Sequence, residues 1–467
     1  LGVQLTVVED LEKDRDQKRW NLTLLARNVI GLEEIYGCNS RSYQQSYYVP
    51  RTTISEINAL SDNVIVLLGS SPDKRIQPPI KYYEYNPAHG YYNKELSAMW
   101  RGATNIVAAS DVFYPTTDDV IAYEMLDDNP ERKTTPQHIL SEEEILALGY
   151  PKLAVENTQV IAEMREVYDL PPAEMVKSKQ TKTLEEMCRE NIPKRFKDWP
   201  EEYEARLRRE IDLIALKQYE DYFYLVADLC DYAKRHMLVG PARGSAAGSL
   251  VCFLLYITEI DPIPHGLLFE RFIDITRNDL PDIDLDFPDD KREMVFAYLS
   301  EKYGEECVCK IGTVSRFKPK SAIGDVAKKY GIPAWETKDV KDAIIERSSG
   351  DARAAFCITD TFESLDVGKA FISKYPAMMN LGKIENHARH SGCHAAGIIV
   401  CSHDIKRCCT VGKEGVSQID KKDAEELNLL KIDVLGLRTL SVLNSCMEYL
   451  GKDPKELYDL PLVSGTK

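Results

Sequence analysis

Apolar and polar positions follow two rhythms along the first 165 or so residues. Short β-rich runs, NVIVLLGSS at 63–71 and NIVAASDVFY at 105–114, alternate with amphipathic stretches such as LTLLARNVIGLEEIY at 22–36, which predict helix. That alternation predicts an α/β domain. SEEEILALGY at 141–150 opens on a serine followed by an acidic turn, a helix start. A charged helical region is predicted from Lys177 to Lys234. Period-two patterns return in PDIDLDF (281–287) and NLLKIDVLGL (428–437), which read as strands. Between the helical region and the first of these, VGPARGSAAGSLVCFLLYIT (239–258) places a Gly-Pro turn and a Gly-Ser turn ahead of an apolar run of helical length. A helical stretch around Leu440–Leu450 precedes the tail DPKELYDLPLVSGTK, and no internal repeat occurs.

Composition adds bounds. The 467 residues are enough for about three domains. With 44% hydrophobic and 29% charged residues, the balance is that of a globular protein. The longest mainly apolar stretch, Ala246 to Ile257, is too short to cross a bilayer, so no membrane partner is expected. No signal peptide opens the chain, which predicts a cytoplasmic protein. The start at Leu1 and the thinning tail are the marks expected of a partial chain.

The net charge of −16 and pI near 5.2 argue against nonspecific nucleic-acid binding over the whole surface. A local basic groove is still compatible, and KIGTVSRFKPKSAIGDVAKK at 310–329 is the candidate for one. The twelve cysteines lack zinc-type C-x2-C spacing; Cys307-x-Cys309 and Cys408-Cys409 are too close. HARHSGCH at 387–394 gathers His387, His390, Cys393 and His394, but it runs on into the small and apolar AAGIIV. Free thiols in a reducing compartment are the expected state.

The chemistry concentrates in PDIDLDF. On a strand, Asp282, Asp284 and Asp286 share one face while Ile283, Leu285 and Phe287 point into a core. Three like charges at that spacing repel unless cations compensate them. Two divalent ions held by shared carboxylates would do so, and oxygen-rich ligands suit Mg2+. An exposed strand with an acidic outer face is the alternative. In NLLKIDVLGL, Lys431 and Asp433 point the same way from an apolar strand, as a mutual pair or as parts of a metal-phosphate site. Gly244 and Ser245, beside Arg243, form a turn that could present backbone N–H groups to a phosphate, although the Walker pattern is absent.

These segments together resemble the family C bacterial replicative DNA polymerases, the polymerase III alpha subunits. The resemblance rests on YFYLVADLCDYAKRH, GPARGSAAGSLV, DPIPHGLLFERF, PDIDLDFPDDKR, RHSGCHAAGIIV and QIDKKDAEELNLLKIDVLGLRTL, in that order. It implies an α/β multidomain chain with a degenerate PHP-like α/β domain at 1–165. A nucleotidyltransferase-type, polymerase beta-like mixed-sheet palm follows at 166–312 and 389–440. A mostly helical thumb is expected at 313–388 and the start of the fingers at 441–467.

The implied metal ligands are Asp282, Asp284 and Asp433, holding two Mg2+ ions, with Asp286 a neighbour rather than a ligand. The implied nucleotide-binding residues are Gly244, Ser245, Arg271 and Lys431. The implied function is template-directed DNA synthesis in replication, with primer-template DNA and dNTP as ligands and a sliding clamp and other replisome subunits as partners. In the N-terminal domain Asn21 and Phe113 stand where metal-binding members have histidine, and the His-x-His strand is missing, so a structural role is expected there. The resemblance also implies that most of the fingers lies outside this sequence. The alternatives are a non-catalytic or split subunit needing a second chain for the fingers, and a metal-dependent phosphoesterase.

Overall fold

Alternate burial sets the first strands. In β1 (Gly2–Val8) and β2 (Trp20–Ala26), positions such as Leu5, Val7, Leu22 and Leu24 turn inward. The computed structural model describes residues 1–467 apart from 12–17, 45–48, 70–72, 88–102, 128–135, 171, 277–280, 349 and 461–467. The described chain divides into two compact units, residues 1–168 with 314–392 and residues 169–313 with 393–467.

The first unit holds a mixed six-stranded sheet. Its members are β1, β2, β3 (Thr52–Thr53), β4 (Val64–Leu68), β5 (Ile80–Tyr85) and β6 (Ile106–Ala108), in the order β3-β1-β2-β4-β5-β6. β1 and β4 flank β2 antiparallel, whereas β4, β5 and β6 run parallel. The stretch 22–36, expected as one amphipathic helix, is instead a strand followed by a helix at Val29–Gln44. Burial of Trp20, Leu22, Leu24 and Ala26 has period two, and Asn28 Oδ1 then accepts the Gly31 N–H (3.0 Å), marking where the helix begins. The run at 105–114 is strand only over Ile106–Ala108, with Tyr114 making an isolated bridge to His138. The helix start at Ser141 is as expected: its side chain accepts from the Glu144 N–H in a capping box. Residues 314–392 contribute short helices, among them Pro319–Lys329, Cys357–Ser364 and Asp366–Lys374, around Ile323, Val326, Phe362, Phe371 and Met378.

In the second unit the charged region resolves into three helices, Leu184–Arg195, Glu201–Leu216 and Glu220–His236. The sheet here is also mixed. It orders β7 (Asp284–Pro288), β10 (Leu430–Leu437), β9 (Ala388–Val400) and β8 (Val308–Arg316) as β7-β10-β9-β8. One face buries Leu285, Phe287, Ile432 and Val434 with Phe223 and Phe269 of the helical layer. Each such fully buried side chain contributes roughly 1.5–3 kcal/mol relative to exposure. The apolar run after the Gly-Ser turn is not one helix. A 3-10 turn at Gly244–Gly248 gives way at the extended Ser249 to a helix of five residues, Leu250–Leu254. A Cβ at Gly248 would stand 2.6 Å from the Leu268 carbonyl oxygen, so this turn lies hard against that backbone.

Candidate active site

Parallel pairing of β7 with β10 sets Asp284 directly opposite Asp433. Side chains so paired on one face stand about 5 Å apart at Cβ. Asp282 precedes the first residue of β7, and there the buried Tyr222 hydroxyl accepts the Ile283 N–H (3.1 Å). This contact fixes the backbone between Asp282 and Asp284. As a result, one carboxylate oxygen from each of Asp282, Asp284 and Asp433 lies within 4.8 Å of the others.

The third aspartate of PDIDLDF has a different partner. Asp286 lies opposite Leu435, and its Oδ1 accepts from Arg243 Nη1 (3.1 Å). Its carboxyl sits above the usual range because burial outweighs the help of Arg243.

Positive charge around the triad is incomplete. Lys431 Nζ lies 2.6 Å from Asp433 Oδ2 and 3.3 Å from Asp282 Oδ1, and Lys421 Nζ lies 3.8 Å from Asp282 Oδ2. Burial lowers the Lys431 ammonium, but the hydrogen bond to Asp433 and the charges of Asp282 and Asp433 leave it raised overall. Asp284 is also pushed up, first by burial and then by the charges of Asp282 and Asp433. Asp433 Oδ1 is buried without a hydrogen-bond partner among the described residues. A buried carboxylate oxygen left unpaired is costly. Three convergent carboxylates, one of which also carries an orphaned oxygen, form a donor set suited to hard divalent cations.

The Gly-Ser turn closes over this group. Gly244 has φ +61, and a Cβ there would stand 3.0 Å from Asp284 Oδ2, so both conformation and space call for glycine. The fully buried Glu210 anchors the segment that follows. It accepts from Ser249 Oγ (2.8 Å) and from the Leu250 and Val251 N–H groups (both 3.0 Å), and Arg206 Nε donates to it at 2.6 Å. Arg206 Nη2 also donates to the Gly248 carbonyl (2.6 Å).

Of the residues singled out from sequence, Asp282, Asp284, Asp433, Lys431 and Gly244 come together, with Ser245 next on the same turn. Arg271 is exposed at the end of the 3-10 turn Phe269–Arg271 and is not within ion-pairing distance of the three carboxylates. Lys421, Tyr222 and Glu210 went unnoticed in the sequence. The i, i+4 spacing of Arg206 and Glu210 on a helix was the one available signal for the buried anchor.

Other candidates disperse. HARHSGCH falls mostly on the extended β9, where His394 Nδ1 accepts from the Ala396 (3.2 Å) and Gly397 (2.8 Å) N–H groups. Several cations of 310–329 have partners of their own: Lys310 with Glu293 (3.1 Å), Lys320 with Glu346 (2.7 Å) and Arg316 with the Asn386 carbonyl (2.9 Å). Asn21 Oδ1 accepts from Thr6 Oγ1 (3.2 Å), and Phe113 packs on Tyr123 with ring centroids 5.2 Å apart. The twelve cysteines are all free thiols. No helix among the described residues is long and apolar enough to cross a membrane.

Comparison with known proteins matches residues 182–436 to the bacterial DNA polymerase III alpha NTPase domain. The DNA polymerase III subunit alpha of Xylella fastidiosa (strain Temecula1) is 31% identical over 418 residues, covering 76% of this chain and 34% of that protein. The Ureaplasma parvum subunit is 33% identical over 392 residues, covering 77% of this chain and 39% of its own. The Pasteurella multocida subunit is 29% identical over 538 residues, covering 99% and 45% respectively. The chain thus spans less than half the length of these relatives. With the matched region reaching from the helices through the Gly-Ser turn and β7 to β10, the chain belongs to the bacterial DNA polymerase III alpha family.

Proposed function

We propose that this chain carries the nucleotidyl-transfer centre of a replicative DNA polymerase, which extends a primer 3′-hydroxyl with dNTPs along a DNA template. The observation that carries the reading is the convergence of Asp282, Asp284 and Asp433 beside an orphaned, buried Asp433 Oδ1. These carboxylates would hold two divalent ions, with Mg2+ the fitting choice for an all-oxygen set. When bound, such ions would lower the pKa of the attacking hydroxyl and neutralise charge on the departing pyrophosphate.

The remaining roles belong to the chain itself. Lys431, which is paired with Asp433 here, would supply a fixed positive charge for the triphosphate. The Gly244–Ser245 turn offers backbone N–H groups next to Asp284, and Arg271 is assigned to the triphosphate from the family pattern. Asp286, held by Arg243, keeps the turn and the strand in register. In the same reading residues 166–312 and 389–440 form the palm and 313–388 a helical thumb that grips duplex DNA. Residues 1–165 form a degenerate PHP-like domain with a structural role, and 441–467 open the fingers. A sliding clamp and other replisome subunits are the expected partners.

Primer extension with Mg2+ and dNTPs tests the proposal, using the chain alone and the chain supplemented with a fingers-containing polymerase III alpha fragment. Extension in either setting that disappears in Asp433→Asn supports it. Extension at the wild-type rate in Asp433→Asn overturns it.

A further inference from the structure

A second group of metal-ligating side chains lies apart from the carboxylates. Cys401, His403 and Cys408 each present one ligand atom within 4.8 Å of the other two. Cys408 Sγ stands 3.4 Å from His403 Nε2, and Cys401 Sγ flanks the ring at 3.9 Å from Nε2 and 3.7 Å from Nδ1. In a tetrahedral zinc site, with Zn–S about 2.3 Å and Zn–N about 2.05 Å, the sulfur-to-nitrogen edge is about 3.6 Å. The two distances to Nε2 bracket that edge.

The other ring nitrogen is also accounted for. Ser402 Oγ lies 3.1 Å from His403 Nδ1. A hydroxyl accepting Nδ1–H leaves Nε2, the nitrogen beside Cys408 Sγ, with its lone pair free for a metal, the second-layer contact that fixes a ligating histidine.

The loop that brings these side chains together is built by local hydrogen bonds. Asp404 Oδ1 accepts the Lys406 N–H (3.0 Å), opening the 3-10 turn Ile405–Arg407. The Cys408 and Cys409 N–H groups then both donate to the Ile405 carbonyl (2.9 and 3.0 Å), which turns Cys408 back toward His403. Cys401 is buried, while His403 and Cys408 are half-buried, so an ion can enter. Spacing rules missed the group because its ligands read C-x-H-x4-C rather than two C-x2-C pairs.

We propose that Cys401, His403 and Cys408 bind one zinc ion that fastens the end of β9. Soft thiolates with an imidazole select zinc over Mg2+. The fourth position falls to water. Cys401 directly follows Val400, which pairs with Leu430 three residues before Asp433. The ion therefore ties down the strand neighbouring the one that carries Asp433.

The test is metal analysis of the full chain, purified without a histidine tag and under reducing conditions. About one zinc per chain is expected, falling to less than about a tenth in Cys408→Ser. Cobalt exchange should give the near-ultraviolet thiolate charge-transfer band and the visible bands of a tetrahedral ion in the wild type. Both should persist in Asp284→Asn, which removes a carboxylate of the other cluster. Should Cys408→Ser fail to fold, His403→Gln read by the same cobalt spectrum decides. A folded, reduced wild-type chain that takes up neither zinc nor cobalt overturns the proposal. So does full zinc retention in Cys408→Ser and His403→Gln.

Discussion

Two donor clusters sit along neighbouring strands of one sheet, and they solve opposite problems. At the Asp433↔Gly397 pair of β10 and β9, three aspartates of like charge converge with one oxygen unpartnered and Asp284 pushed up. Just past the Leu430↔Val400 pair, two thiols and an imidazole converge on a loop whose turn is already capped and bonded. The first cluster holds charge that Lys431 and Lys421 compensate only in part, which is the condition for binding cations that come and go with a substrate. The second is softer and locally self-supporting, the condition for a resident ion. Proximity in one sheet therefore does not make the two sites alike; donor chemistry and local compensation separate them.

The largest effect expected from breaking this contrast is on catalysis. Asp284→Asn or Asp433→Asn should lower primer extension by at least about a thousandfold, since several kcal/mol of charge stabilisation are lost at about 1.4 kcal/mol per tenfold. Steady-state extension assays measure it. Lys431→Met should cost less, about ten- to a hundredfold in kcat/KM for dNTP, because one fixed charge is removed while the carboxylates stay. Chelation of the wild-type chain with a zinc-selective chelator should lower its thermal midpoint by about 5 °C, and the same treatment should leave Cys408→Ser unmoved. Calorimetry reads both.

The smallest effect sharpens the contrast from the other side. Asp284 has its carboxyl raised in the folded chain by burial and by Asp282 and Asp433. The folded state therefore holds the proton more tightly than the unfolded one, and the ionised group disfavours folding at neutral pH. In metal-free buffer Asp284→Asn should raise the thermal midpoint at pH 7 by about 1–3 °C. That advantage should shrink as pH falls through the raised carboxylate range and vanish below the ordinary aspartate value. A variant that gains stability while losing activity marks a site kept under strain for function.

Much of the triad was legible in the sequence because a strand has a strict period of two. PDIDLDF could be placed on one face from that period alone, and NLLKIDVLGL likewise. Periodicity could not say which of three equivalent aspartates would leave the group. That depended on Arg243 reaching Asp286 and on register across β7 and β10, both long-range facts. The misread stretch 22–36 has the same lesson at short range, since an apolar run at the junction of a strand and a helix satisfies both periods. Glu210 and the Cys401 cluster stayed hidden for a further reason. Their significance comes from what they meet after folding, a helix start 40 residues away in one case and a tight 3-10 turn in the other.

Asp282, Asp284 and Asp433 are proposed to bind divalent ions together. Paramagnetic titration of Mn2+ in the presence of a dNTP measures this binding without requiring turnover. Two bound ions are expected in the wild type, with binding abolished in Asp284→Asn and Asp433→Asn and unchanged in Cys408→Ser. Mn2+ binding of equal number and strength in the wild type and both aspartate variants would contradict the account.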